Sequence, residues 1–165
     1  LEKSSSLEEQ FIDLLEKNKK IIYKVSNLYG EHTDDRKDLS QEIILQLWKA
    51  FPNYDSRYAV STWMHRIALN VSISFMRKEK TRKKTVDSYQ SDQSLLNWDT
   101  QKEDERLTQV YQIINQLKPF DKAIIILYLE GHKNNEISTI VGISETNVAT
   151  KINRLKKKIS SNFKS

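Results

Sequence analysis

The chain has no cysteine, three glycines and two prolines in 165 residues. Without cysteine there is no disulfide and no thiolate metal site. So few turn residues disfavour a β-rich fold and leave long helices as the natural reading. No apolar run approaches the ~18–20 residues of a membrane span. No signal peptide is visible, so membrane insertion is not expected and a cytoplasmic location is. His32, His65 and His132 lie far apart in sequence and show no metal-ligand spacing. No Gly-rich phosphate loop or nucleophile signature appears. The expectation is a protein without cofactor, metal or catalysis of its own. The chain opens on Leu1 instead of Met, and LEKSSS is set aside from the fold argument.

What is present is charge and helical periodicity. Charged residues make up 30% and the net charge is +5, a weak pointer to a polyanionic partner. Apolar residues recur at steps of three and four almost throughout, which predicts an all-α protein. Two small helical domains are expected, 7–78 and 106–162, joined by a flexible linker at 79–105. The linker's ends have opposite character. RKEKTRKK, 77–84, holds six basic residues and one acidic, whereas 85–105 holds six acidic and one basic. Apolar periodicity lapses there except around Leu95, Leu96 and Trp98. No repeat at solenoid spacing is visible.

In the first body Leu7, Phe11, Leu14, Leu15, Ile21, Ile22, Val25 and Leu28 predict one or two amphipathic helices. Leu39, Ile43, Leu47 and Phe51 at spacing four predict the next, with Ile44 and Trp48 beside them and Pro52 at its end. A third helix carries Trp63, Ile67, Val71 and Phe75 at spacing four, with His65, Arg66, Asn70, Arg77 and Lys78 pointing elsewhere. Asp38, Gln41, Glu42, Leu45 and Trp48 form a second stripe on the middle helix, acidic at one end and apolar at the other. That suits docking on a partner helix, or else a solvated face beside a core tryptophan. Aromatic and amide groups beside cations on the third helix suit an unpaired strand, or else an amphipathic helix with a basic tail.

The second body has a helix with Leu107, Val110, Ile113, Ile114 and Leu117, then one opened by Pro119 and stopped by Gly131. A helix–turn–helix follows. Asn134 or Asn135 can cap a short helix reaching Val141, and Gly142 tolerates the positive φ of the turn. Ile143 can plug the corner, and Ser144 can cap a helix over 145–157. Val148, Ile152, Leu155 and Ile159 would pack inward. Thr146, Asn147, Thr150, Lys151 and Arg154 would face a major groove, where base edges are read by the first turns of such a helix. Lys156, Lys157, Lys158 and Lys164 can reach phosphates. The alternative is an ordinary helical hairpin with a basic face.

DLSQEIILQLWKAFPNYD, STWMHRIALNVSISFMR and INQLKPFDKAIIILYLEGHKNNEISTIVGISETNVATKINRLKKKI together resemble bacterial RNA polymerase sigma factors of the extracytoplasmic-function group of the sigma-70 family. The resemblance covers roughly 7–78 and 106–159. It implies a region 2 bundle and a region 4 helix–turn–helix. Asp38, Gln41, Glu42, Leu45 and Trp48 would dock on the clamp helices of the polymerase's largest subunit, and region 4 would meet the flap. Tyr58, Ser61, Thr62, Trp63, Arg66, Asn70, Arg77 and Lys78 would melt and read the promoter −10 element, with Asn70 near the pocket for a flipped base. Ser144, Thr146, Asn147, Thr150, Lys151 and Arg154 would read the −35 duplex. The linker would thread toward the active-centre cleft, its acidic run in space normally held by RNA. An anti-sigma factor is the implied regulator. Ser138 stands where such units usually have Ala, and the last helix is less Arg-rich than in many relatives, which leaves the −35 sequence open. About 25 linker residues reach at most ~80 Å, enough to span two helical turns of DNA. An autonomous helix–turn–helix repressor or activator is the alternative. It needs a dimerisation helix or sensor pocket, and neither is evident.

Overall fold

Ser6 opens the first helix. Its hydroxyl accepts from the Glu9 amide at 3.2 Å, and the Glu9 carboxylate accepts from the Ser6 amide at 3.3 Å. This reciprocal box satisfies two backbone donors at the helix start. Gln10 also donates to the Ser5 carbonyl at 3.0 Å. Ser5 and Ser6, set aside on sequence grounds, therefore belong to the fold. The computed structural model describes residues 5–85 and 105–163. Seven α-helices follow in order: α1 Leu7–Tyr29, α2 Thr33–Ala50, α3 Val60–Thr85, α4 Glu105–Asn115, α5 Pro119–Leu129, α6 Asn134–Val141 and α7 Glu145–Phe163. No strand occurs among the described residues. Of the expected flexible linker at 79–105, residues 79–85 instead continue α3 and Glu105 opens α4. The rest, with Leu95, Leu96, Trp98 and most of the acidic run, falls on 86–104, outside the described residues, as does Lys164. The chain divides into two units, Leu1–Ser88 and Tyr89–Ser165.

In the first unit α1, α2 and α3 all pack on one another. Where the sequence allowed one or two helices, α1 is a single helix of 23 residues. Leu39, Ile43 and Leu47 are fully buried, as their spacing predicts. On α3 the inward face differs from expectation. Met64, Ala68, Leu69, Ser72 and Ile73 are buried, while Trp63, Ile67, Val71 and Phe75 are half-buried at its edge. The small Ala68 and Ser72 let α3 approach its neighbours, and the Ser72 hydroxyl is satisfied by the Ala68 carbonyl at 2.7 Å. His65, expected on the outer side, is buried with Nδ1 2.7 Å from the Ser61 carbonyl. Ser40 donates to Ser26 at 2.8 Å between α2 and α1. Burial pushes the Tyr29 phenol well above its ordinary range.

In the second unit Ile114, Leu117, Ala123, Ile124, Ile125, Leu127, Ile137, Ile140, Val148, Ile152 and Leu155 form the core. Pro119 opens α5 without costing a helical hydrogen bond. Gly142 has φ 77°, the left-handed turn that glycine takes without strain. Neither Asn134 nor Asn135 caps α6. Lys133 holds that position without a side-chain bond, and the Asn135 side chain accepts from the Glu136 amide at 3.0 Å. Ser144 does cap α7, accepting from the Asn147 amide at 3.2 Å. The helix continues to Phe163, past the expected 157.

Candidate polymerase and DNA interfaces

The outer face of α2 carries Asp38, Gln41, Glu42, Leu45 and Trp48, all exposed. The ten helical rises from Asp38 to Trp48 make this stripe about 15 Å long. Gln46 donates to Glu42 at 2.9 Å and orients that carboxylate. Trp48 packs on Phe11 with tilted rings, centroids 5.0 Å apart, yet remains 37% exposed. The stripe borders a groove of about 440 Å³ between α1 and α2, lined by Leu15, Ile22, Tyr23, Ser40 and Ile44, with Lys19 and Lys20 beside them. Tyr23 is 57% exposed and Ile44 is also exposed, so the apolar surface extends beyond the stripe seen in sequence. Sequence reasoning placed Ile44 beside the core. Its position next to the line Leu39, Ile43 and Leu47 was the available signal.

A second surface begins in the loop before α3. Arg57 grips Asp55 with Nε at 2.9 Å and Nη2 at 2.7 Å from Oδ2, and Tyr54 donates to the Tyr58 carbonyl at 2.6 Å. The Arg57 hydrogen bonds hold the Asp55 carboxyl below its ordinary value. This hydrogen-bonded loop leaves Tyr58 51% exposed. Trp63 lies 4.8 Å from Tyr54 and 6.3 Å from Phe51, between ring centroids. Ser61 and Thr62 are half-buried beside it, and Arg66, Asn70, Arg77 and Lys78 are exposed. Thr62, Arg66 and Asn70 recur at spacing four, and Arg77 lies two turns beyond, so one face of α3 presents them together.

The third surface is α7. Ser144, Thr146, Asn147, Thr150 and Arg154 are exposed. Two predicted contacts are drawn elsewhere. Lys151 donates to Asp121 Oδ1 at 3.2 Å, and Lys156 lies over the Tyr128 ring at 4.5 Å from its centroid. Lys157 and Lys158 are exposed. The Ser138 hydroxyl donates to the Ile143 carbonyl, bridging the turn with a bond that Ala at this position would lack. Ahead of α6, His132 sits with Nδ1 3.0 Å from Glu136 and Nε2 3.7 Å from Glu130.

These surfaces lie on two segments that match known families. The sigma-70 region 2 family model matches residues 14–82, and the sigma-70 region 4 model matches 107–159. The chain belongs to the sigma-70 family. Its relatives place it in the extracytoplasmic-function group. The ECF RNA polymerase sigma factor SigX of Bacillus subtilis is 24% identical over 152 residues, covering 87% of this chain and 78% of that protein. The RNA polymerase sigma factor SigV of the same organism is 24% identical over 156 residues, covering 93% and 91%. Among solved structures, the sigma factor RpoE of Bartonella quintana, in complex with the anti-sigma factor NepR, has a TM-score of 0.74 at 16% identity. That likeness covers 95% of this chain and 96% of the other, and it is one of fold. The α2 stripe, the start of α3 and its preceding loop fall within the region 2 match, and α7 up to Ile159 within the region 4 match. No helix among the described residues of this sigma factor is long and apolar enough to cross a membrane.

Proposed function

We propose that this sigma factor acts in the bacterial cytoplasm by binding core RNA polymerase and directing it to promoters. One observation carries this reading. Regions 2 and 4 occur in order on one chain, each on its own helical unit, and each unit exposes a polar or apolar surface its core does not use. A repressor or activator needs the helix–turn–helix and has no use for region 2.

Within that reading each surface has a part. Asp38, Gln41, Glu42, Leu45 and Trp48 dock on the clamp helices of the largest polymerase subunit, and the neighbouring groove at Tyr23 and Ile44 widens the apolar footprint. Region 4 meets the flap. Tyr58, Ser61, Thr62, Trp63, Arg66, Asn70, Arg77 and Lys78 engage the melted −10 strand, where ring faces and amides suit unstacked bases. Ser144, Thr146, Asn147, Thr150, Lys151 and Arg154 form the −35 face, with Lys151 at its edge because its ammonium rests on Asp121. The polymerase core performs the chemistry, and the sigma factor supplies position. An anti-sigma factor that covers these surfaces in the resting state is the expected regulator; the structural relative RpoE of Bartonella quintana is itself in complex with an anti-sigma factor, NepR.

The test is reconstitution with core polymerase and fragmented DNA from the source genome, followed by sequencing of transcript 5′ ends. Discrete starts that depend on the chain and share two upstream elements support the reading. Co-elution with core but scattered starts refute promoter direction. Tight promoter binding without core favours the autonomous regulator.

A further inference from the structure

Arg154 is exposed on α7, but Lys151, one turn earlier, is not free to reach outward. Its ammonium lies 3.2 Å from Asp121 Oδ1 and 5.6 Å from the centroid of the Phe120 ring. Both partners belong to the first turn of α5. The two charged side chains are 36% and 26% exposed, so the pair is partly sheltered from water. Five residues on, Lys156 is likewise turned toward α5, over Tyr128. Two cations of the helix that faces DNA are therefore held by the helix behind it.

We infer that Asp121 is a specificity-determining residue of the −35 contact: it holds Lys151 away from the DNA backbone and leaves discrimination to Asn147, Thr150 and Arg154. The inference rests on the reading of α7 as the −35 helix. A lysine ammonium on a phosphate strengthens binding to every duplex alike, because phosphates carry no sequence. The relevant quantity for a promoter reader is the ratio of specific to non-specific binding over a genome of competing sites. Withholding one cation lowers the background without touching a base contact. The Phe120 ring adds a second hold on the same ammonium.

The experiment measures binding of the full chain to a fluorescein-labelled random-sequence duplex across a salt series. Asp121→Asn keeps the size of the side chain and removes its charge. The expected result is several-fold tighter binding at low salt and a log–log salt dependence steeper by about 0.9, the mark of one more phosphate contact. That advantage shrinks about three- to fourfold between ~50 and ~200 mM salt. Asp121→Asn added to Lys151→Ala should bring no gain over Lys151→Ala alone. Unchanged or weaker binding by Asp121→Asn overturns the inference, and so does a gain that persists in the Lys151→Ala background. If Asp121→Asn proves unfolded, Phe120→Leu removes the other hold and should give a smaller gain of the same sign, and no gain overturns the inference. Arg154→Ala is measured alongside on a duplex carrying the upstream element found by reconstitution, because a base-reading side chain adds little on random sequence. Weaker binding there, with no effect of Asp121→Asn on the random duplex, sinks the inference alone. Unchanged binding of that element by Arg154→Ala sinks the −35 reading and the inference with it.

Discussion

Trp48 lies against Phe11 with ring centroids 5.0 Å apart and planes tilted by 51°. Phe11 in turn touches Phe51 at 5.3 Å. Trp48 is thus the rim of an aromatic cluster as well as the end of the exposed α2 stripe, and replacing it disturbs both. Leu45, three residues earlier, is 43% exposed. Leu45→Ala should weaken binding to core polymerase while changing stability by no more than ~0.5 kcal/mol. Trp48→Ala should weaken binding too, but at a cost of about 2 kcal/mol, less than the ~3–5 of a fully buried tryptophan. Urea midpoints read alongside core affinity separate the two. Full core affinity in Leu45→Ala would remove the stripe from the docking surface.

The α1–α2 corner admits no side chain at Gly30. A Cβ there would fall 2.6 Å from Arg36 Cγ and 2.9 Å from both the Arg36 amide nitrogen and the Ser26 carbonyl oxygen. Arg36 cannot simply swing away, since its Nε donates to the Gly30 carbonyl at 3.0 Å. Gly30→Ala should cost the first unit about 1–3 kcal/mol through overpacking. A urea midpoint equal to wild type would show that the corner can relax.

At Gly142 the reason for glycine is different. A Cβ meets nothing within 4 Å, but φ is 77°. Gly142→Ala should therefore cost ~1–2 kcal/mol through backbone conformation alone. Gly142→Asn should cost less, because Asn tolerates the left-handed region better. Thermal melting of the two variants gives the order, and equal losses would argue for a steric cause.

Ser144 has a structural duty that competes with its proposed place on DNA. Its hydroxyl accepts from the Asn147 amide at 3.2 Å. Ser144→Ala should lose the cap, worth ~1 kcal/mol. Ser144→Asp should keep the cap and put a negative charge beside phosphate, so it should fold normally and bind −35 DNA poorly. Melting and duplex binding are read together. Strong binding by Ser144→Asp would move the DNA path away from the start of α7.

The α2 core line and the helix–turn–helix were legible because each rests on local rules. Leu39, Ile43 and Leu47 recur with the helix period, and Gly142 sits where a helix must end and the chain reverse. The α3 core face was not legible. Met64, Ala68 and Ser72 recur at the same spacing as Trp63, Ile67, Val71 and Phe75, one position away, so spacing by itself does not choose between the two lines. The buried line includes Ala68 and Ser72, whose value is small size, and counting hydrophobic residues favours the bulkier Trp63, Ile67, Val71 and Phe75.

The sequence by itself determined helical class, the order of the two helical bodies and the residue types offered at each surface, since these follow from periodicity and from the conformational limits of single residues. Tertiary structure decided which of those residues are available. It turned His65 inward, packed Trp48 on Phe11, opened the groove at Tyr23 and Ile44, and tied Lys151 to an aspartate thirty positions away. Whether a lysine meets water, DNA or a carboxylate depends on which helix lies behind it, and no local pattern encodes that distance.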